Sequence, residues 1–223
     1  MHIEPGIVNG AKMILGFATA AGVGLWTVKL AVQAAVAHGL PALAARSALA
    51  TAAAFAFFQV LPHYPVGVSE VHLILGSTLF LLFGAAPAAI GLAMGLLLQG
   101  LFFAPIDLPQ YGMNVTTLLV PLFAISALAR RIVAPGTAYV DLDYGQVLKL
   151  SAVYQGGVVA WVALWAFWGQ GVSMTTLAAV GSFGAAYMLV VILEPLVDLA
   201  VLAGAKAMRG LRGSPLVTER LYA

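Results

Sequence analysis

Met1-His2, read together with His72, holds the residue types in this chain that could do metal chemistry. A free amino terminus followed by histidine is a chelator. The Met1 amine, the deprotonated peptide nitrogen of His2 and the His2 Nδ1 close one five-membered and one six-membered ring around a divalent ion. A second imidazole completes a plane of four nitrogens, which suits Ni(II), Cu(II) or low-spin Co(II) better than tetrahedral zinc or oxygen-seeking magnesium. His72 is the candidate for that ligand. The chain has no cysteine, so any metal must be held by nitrogen or oxygen.

The elements that must position these residues are membrane helices. Of the 223 residues, 62% are hydrophobic and 8% charged, with a mean hydropathy of +1.02, whereas a soluble domain carries about 25% charged residues. A net charge of +2 describes topology and gives no nucleic-acid patch. The start carries Glu4 and Pro5 in place of a basic segment, so no cleavable signal peptide is expected, and the bulky His2 hinders removal of Met1. There is no GxxxxGK[ST] loop with which to hydrolyse ATP.

Breaks in the apolar sequence predict an all-α polytopic membrane helix bundle of about seven transmembrane helices, forming one domain over 1–223. The first helix is expected from Gly6 to Ala37 and the second from Pro41 to Leu61. A loop carrying Pro62, His63, Pro65 and Gly67 leads to Ser69-Glu70, read as the capped start of a third helix of roughly 15 residues that ends at Gly84. The fourth runs to Phe103 and the fifth from Gly112 to Val133. The sixth runs from Gln146 to Gly169 and the seventh from Ser173 to Met208, with a kink expected at Pro195. Residues 1–10 are the metal-binding segment and 209–223 a cytoplasmic tail. An extracytoplasmic N-terminus and a cytoplasmic C-terminus put nine of the ten lysines and arginines inside, all but Lys12. The chain is thus expected in the inner (plasma) membrane, in contact with lipid.

That topology gathers Met1, His2, His63, Ser69 and His72 at the outer edge, with Gln59, Gln99 and Asn114 from three helix ends. The amides are read first as interhelical hydrogen-bonding groups that orient the imidazoles and the terminal strand. His63 is read as a loop histidine, with ligation as its alternative. Gly91, Gly95, Ala31 and Ala35 are small residues spaced for close helix packing, with docking of another subunit as the second reading. Glu194 and Asp198, near Lys206, are read as capped or paired, with a proton relay as the alternative. Trp161, Trp165 and Trp168 are read as an interfacial belt.

Met1-His2-Ile3 with Glu4, Pro5 and Gly6, then Ser69-Glu70-Val71-His72-Leu73 with Gly76, then Leu98-Gln99 and Gly112-Met113-Asn114, resemble the CbiM/NikM family. These are the substrate-capture (S component) membrane subunits of energy-coupling-factor transporters for cobalt and nickel. The resemblance covers residues 1–133 in motif and the rest by hydropathy. It implies a transported Co(II) or Ni(II) held by the terminal amine, the amide and imidazole of the second residue and the histidine of the third helix, here Met1, His2 and His72. It also implies a transmembrane coupling subunit, cytoplasmic ATPase subunits and a small accessory membrane subunit as partners, and no enzyme activity. The family's acidic-Gly-Phe/Tyr-Leu is here Glu4-Pro5-Gly6-Ile7-Val8, and its Ser-Gly-His is Ser69-Glu70-Val71-His72. Two other readings stand beside it: a vitamin-capturing subunit of the same transporter class, and a membrane enzyme or proton-coupled channel using Glu194 and Asp198.

Overall fold

Single glycines at positive φ join two pairs of helices, and the rest of the architecture follows from how those pairs lie. The structure is a computed structural model that describes residues 3–210, with side chains as far as Met208. Its elements are α1 (Met13–His38), α2 (Leu40–Gln59), β1 (His63–Val66), β2 (Ser69–His72), α3 (Gly76–Phe83), α4 (Ala85–Phe102), α5 (Tyr111–Ile132), α6 (Tyr144–Gln170) and α7 (Met174–Gly210). Gly39, at φ 84°, joins α1 to α2, and Gly84, at φ 88°, joins α3 to α4. Six of the seven helices are long and apolar enough to cross a membrane; α3 is the exception. The chain is a polytopic all-α membrane bundle.

Helices α2 and α4 form the closest pair, and small residues allow it. A Cβ at Gly91 would lie 2.5 Å from the Ala50 Cβ, and one at Gly95 would lie 2.8 Å from the Ala54 Cβ. One turn on, Gln99 Nε2 donates to the Phe58 carbonyl at 3.0 Å. Contacts advance in the same direction along both helices, so the pair is parallel and α3 must return the chain between them. The spacing of Gly91 and Gly95 is therefore used for packing inside the chain.

Eight residues of α3 rise only about 12 Å, too little for a hydrocarbon core of about 30 Å. The non-helical residues Leu73–Leu75 add at most about 10 Å. The His72–Phe58–Gln99 level lies 14 residues along α4 from Ala85, about 21 Å, so the lengths agree. The hairpin that carries His72 is thus let into the bundle about one turn before the C-terminal end of α4.

Three expectations are corrected. The first helix begins at Met13, because Pro5, Gly6, Asn9 and Gly10 build turns: Ile7 N–H donates to the Glu4 carbonyl and Asn9 Nδ2 to the Gly6 carbonyl. Ser69-Glu70 does not open a helix. Gly67, at φ 65°, occupies the first central position of a two-residue hairpin turn, where a primed turn requires that conformation. The third helix therefore starts at Gly76 and is half the expected length. Nor do all three tryptophans belong to a belt, although Trp168 is 45% exposed near the end of α6. Trp165 is fully buried in the main core, Trp161 Nε1 donates to Thr116 Oγ1 at 3.2 Å, and Trp168 Nε1 donates to the Lys12 carbonyl at 3.0 Å.

Candidate metal centre

His72 closes β2 and is 4% exposed. Its Nδ1 lies 3.1 Å from the Leu73 carbonyl oxygen; a carbonyl can only accept, so Nδ1 is the donor, and in a neutral imidazole that leaves the lone pair on Nε2. A ligating histidine is commonly oriented by such a backbone contact at its other nitrogen. The Phe58 ring stands edge-on to the imidazole at 5.5 Å and 86°, and the carbonyl of Phe58 is the one that Gln99 holds. Phe58 thus touches both Gln99, through its carbonyl, and His72, through its ring. The Oε1 of Gln99 is buried with no hydrogen-bond partner among the described residues.

The start of the chain is fastened to the same hairpin. Ile3 forms an antiparallel bridge with Ser69, and Glu4 N–H donates to the Val68 carbonyl at 3.2 Å. Ile3 N–H donates to Asn114 Oδ1 at 2.7 Å in a buried contact. Ile3 and Val8 are core residues. Further along, Lys12 Nζ donates to the Gly169 carbonyl at 2.8 Å, and a Cβ at Gly169 would lie 2.0 Å from the Ile7 carbonyl oxygen. Three elements distant in sequence, β2, α5 and the end of α6, thus hold residues 3–12. Met1 and His2 lie outside the described residues.

Of the remaining candidates, Ser69 is buried on β2 and Asn114 is the residue that binds Ile3. His63 pairs with His72 in the register of the hairpin but is exposed, with Nδ1 3.3 Å from the Leu61 carbonyl oxygen. Gln59 is half-buried at the end of α2 and makes no side-chain hydrogen bond among the described residues. No group of three or more His, Cys, Asp and Glu that could hold a metal occurs among them either. The cavity beside Asn114 measures about 10 Å³, the scale of a single water and far below that of a vitamin.

Sequence reasoning missed an acidic collar around the chain start. Glu4 lies in the electrostatic field of Glu70 and Asp107, and burial first, then those two charges, raises its pKa above the ordinary 4.5. The three residues come from the chain start, from β2 and from the turn before α5, and only the fold brings them together.

Glu194 and Asp198, read as capped or paired near Lys206, accept hydrogen bonds but none from Lys206. Lys206 instead sits over the Tyr144 ring at 5.1 Å. Both carboxylates are buried against the start of α3. Glu194 accepts from the N–H groups of Ile74 and Leu75 and from Gln155 Nε2, and Asp198 accepts from the hydroxyls of Ser77, at 2.6 Å, and Thr78. Leu75, at φ 53°, is the one non-glycine residue with positive φ among those described, and these acceptors hold it there.

The sequence matches, over residues 2–210, the family described as "CbiM: Cobalt uptake substrate-specific transmembrane region". Two crystal structures share its fold. One, described as a truncated transition-metal transporter, is 18% identical with a TM-score of 0.69, covering 91% of this chain and 97% of that one. The other, described as a transition-metal transporter, is 19% identical with a TM-score of 0.60, covering 97% of this chain and 96% of that one. No curated protein matches the sequence.

Proposed function

Because the chain belongs to the CbiM family of cobalt-uptake transmembrane regions, a family of transporters and not of enzymes, we propose that it captures Co(II) or Ni(II) on four nitrogens. These are the Met1 amine, the His2 amide and imidazole, and His72 Nε2. The observation that carries the reading is the fastening of Ile3 to Ser69 and Asn114 beside His72. The N–H that Asn114 holds belongs to the peptide joining His2 to Ile3. An antiparallel bridge at Ile3 and Ser69 directs the chain start toward the His72 end of β2. The tautomer of His72 supports ligation, because its lone pair is on the nitrogen opposite the backbone contact.

Four nitrogens in a plane select by geometry, since raw affinity favours Cu(II) over both Co(II) and Ni(II). The acidic collar of Glu4, Glu70 and Asp107 raises the local concentration of cations at the mouth of the site. Energy for release comes from other chains: a transmembrane coupling subunit and cytoplasmic ATPases, with a small accessory membrane subunit. The basic residues at the end of the bundle opposite the site orient the chain in the plasma membrane, with the metal site outward.

The test is uptake of labelled cobalt by cells that carry the partner subunits. It compares the native start, confirmed by intact mass, with a one-residue N-terminal extension and with His2→Ala. The extension leaves every side chain in place but turns the amine into an amide, and uptake is expected to fall to background. Full uptake by the extended chain overturns the terminal chelate.

A further inference from the structure

Glu194 and Asp198 are one helical turn apart on α7 and are 0% and 1% exposed. Their partners are backbone N–H groups, hydroxyls and an amide; among the described residues no lysine, arginine or histidine bonds to either. Two carboxylates a turn apart repel each other, and in a membrane interior hydrogen-bond donors alone do not offset the loss of water around two ions. Holding the start of α3 needs only an acceptor, which an amide would supply without charge. Without a counter-ion such a buried pair holds a proton in place of its charge, and a divalent cation would displace that proton.

A second observation points into the same cluster. Tyr154 is fully buried, and its Oη has no hydrogen-bond partner among the described residues. It fills the hollow at Gly76, where a Cβ would lie 2.2 Å from it. Gly76 stands between Leu75, held by Glu194, and Ser77, held by Asp198. Ser151 Oγ lies 3.3 Å from Ser77 Oγ on the same side. The unpartnered Tyr154 Oη therefore lies against the segment that Glu194 and Asp198 hold.

We propose that Glu194 and Asp198, with the hydroxyls of Ser77, Thr78, Ser151 and Tyr154, form a second, oxygen-lined site for the transported divalent ion, between His72 and the opposite end of the bundle. The inference rests on the metal-capture reading of His72. Ile74, held by Glu194, follows His72 by two residues, about 7 Å of extended chain. Asp198 lies about 6 Å farther along α7. Beyond it, Tyr139 stands in the field of Asp198 and lines a cavity of about 190 Å³ with Gly84, Leu142 and Leu150. Burial and that charge push the Tyr139 phenol up to about 12. Oxygen ligands hold Co(II) and Ni(II) less tightly than four nitrogens, so an ion passed to this site is closer to release.

The experiment uses the full chain in lipid nanodiscs, with cobalt chloride as the probe and cobalt-edge X-ray absorption as the readout. An N-terminally extended His72→Ala chain removes the nitrogen site. It is expected to bind one equivalent of cobalt with an oxygen-only shell. Tyr154→Phe in that background breaks no hydrogen bond of the fold and is expected to weaken cobalt at least tenfold; a purely structural tyrosine would leave it unchanged. Glu194→Gln with Asp198→Asn is expected to abolish it. No saturable cobalt in the extended His72→Ala chain, or a titration unmoved by both sets of substitutions, overturns the proposal. The unaltered chain reports separately: lack of a nitrogen-coordinated cobalt there would sink the capture reading instead.

Discussion

Asn114 Oδ1 accepts the Ile3 N–H at 2.7 Å, across a sequence separation of 111. Removing the acceptor leaves a buried N–H unpaired at a cost of about 1–3 kcal/mol and loosens the strand that leads to the metal ligands. Asn114→Leu is therefore expected to lower cobalt affinity about 10 to 100-fold while the bundle stays folded. Asn114→Asp, which keeps an acceptor oxygen, is expected to bind much better than the leucine variant. Titration of both by calorimetry checks the ordering; equal affinities would detach Asn114 from the site.

His63 and His72 face each other in the hairpin register but differ in burial. His72→Ala is expected to abolish tight cobalt binding, and His63→Ala to change it by less than twofold. Metal content after gel filtration reads the difference. Equal losses would make His63 a ligand.

Proton linkage has two parts with opposite signs. Imidazole and amine must lose protons to ligate, so cobalt affinity is expected to fall as pH drops through about 8 to 6.5. Glu4 acts the other way on the metal-free protein. Its folded pKa is raised, so its contribution to stability is fully present below the ordinary 4.5 and is lost as pH rises through the raised value. Glu4→Gln is then expected to make the metal-free chain more stable at neutral pH, with the gain vanishing in acid, and to weaken cobalt capture. Melting curves across pH test the first effect. A gain that persists below pH 4.5 would contradict it.

Gly91→Val and Gly95→Val should each separate α2 from α4. At Gly91 the new Cβ meets Ala50 backbone carbon at 2.6 Å, and a backbone cannot move aside as a flexible side chain can. Overpacking of this kind costs about 1–3 kcal/mol or more. A lower melting temperature in detergent is expected for both, together with weaker cobalt binding, because Phe58 and Gln99 continue the same contact. Unchanged melting would mean that the helices can part freely.

Helix breaks were legible because glycine and proline announce them: Gly84 and Pro87 mark the α3–α4 junction, and Pro105 and Pro109 mark the turn before α5. His72 was legible by type but not by element. Val66-Gly67-Val68-Ser69 reads equally as a loop before a helix cap, and only pairing with His63–Val66 makes it a hairpin. Asn114 stood out as a polar residue in an apolar run, yet its partner is a backbone N–H that no sequence pattern displays. The surroundings of Glu194 and Asp198 were hidden for the same reason. Their donors come from the junction of β2 with α3 and from Gln155 of α6, and the brevity of α3 follows from how deep the hairpin sits. Trp165 carried the composition of an interface and the geometry of a core.

The anchoring of the chain start also sets an order of events during synthesis. The first residues made have partners that come much later: Val68 and Ser69, then Asn114, then Gly169. At about 5–20 residues per second, Gly169 leaves the ribosome roughly 8–30 s after Lys12. For that interval the amino terminus is open to aminopeptidases and acetylating enzymes, and each of them would destroy the chelate before the fold could shelter it. On the proposed chelate, the hindrance that His2 is expected to offer to removal of Met1 would act in the nascent chain, well before a metal ion is met.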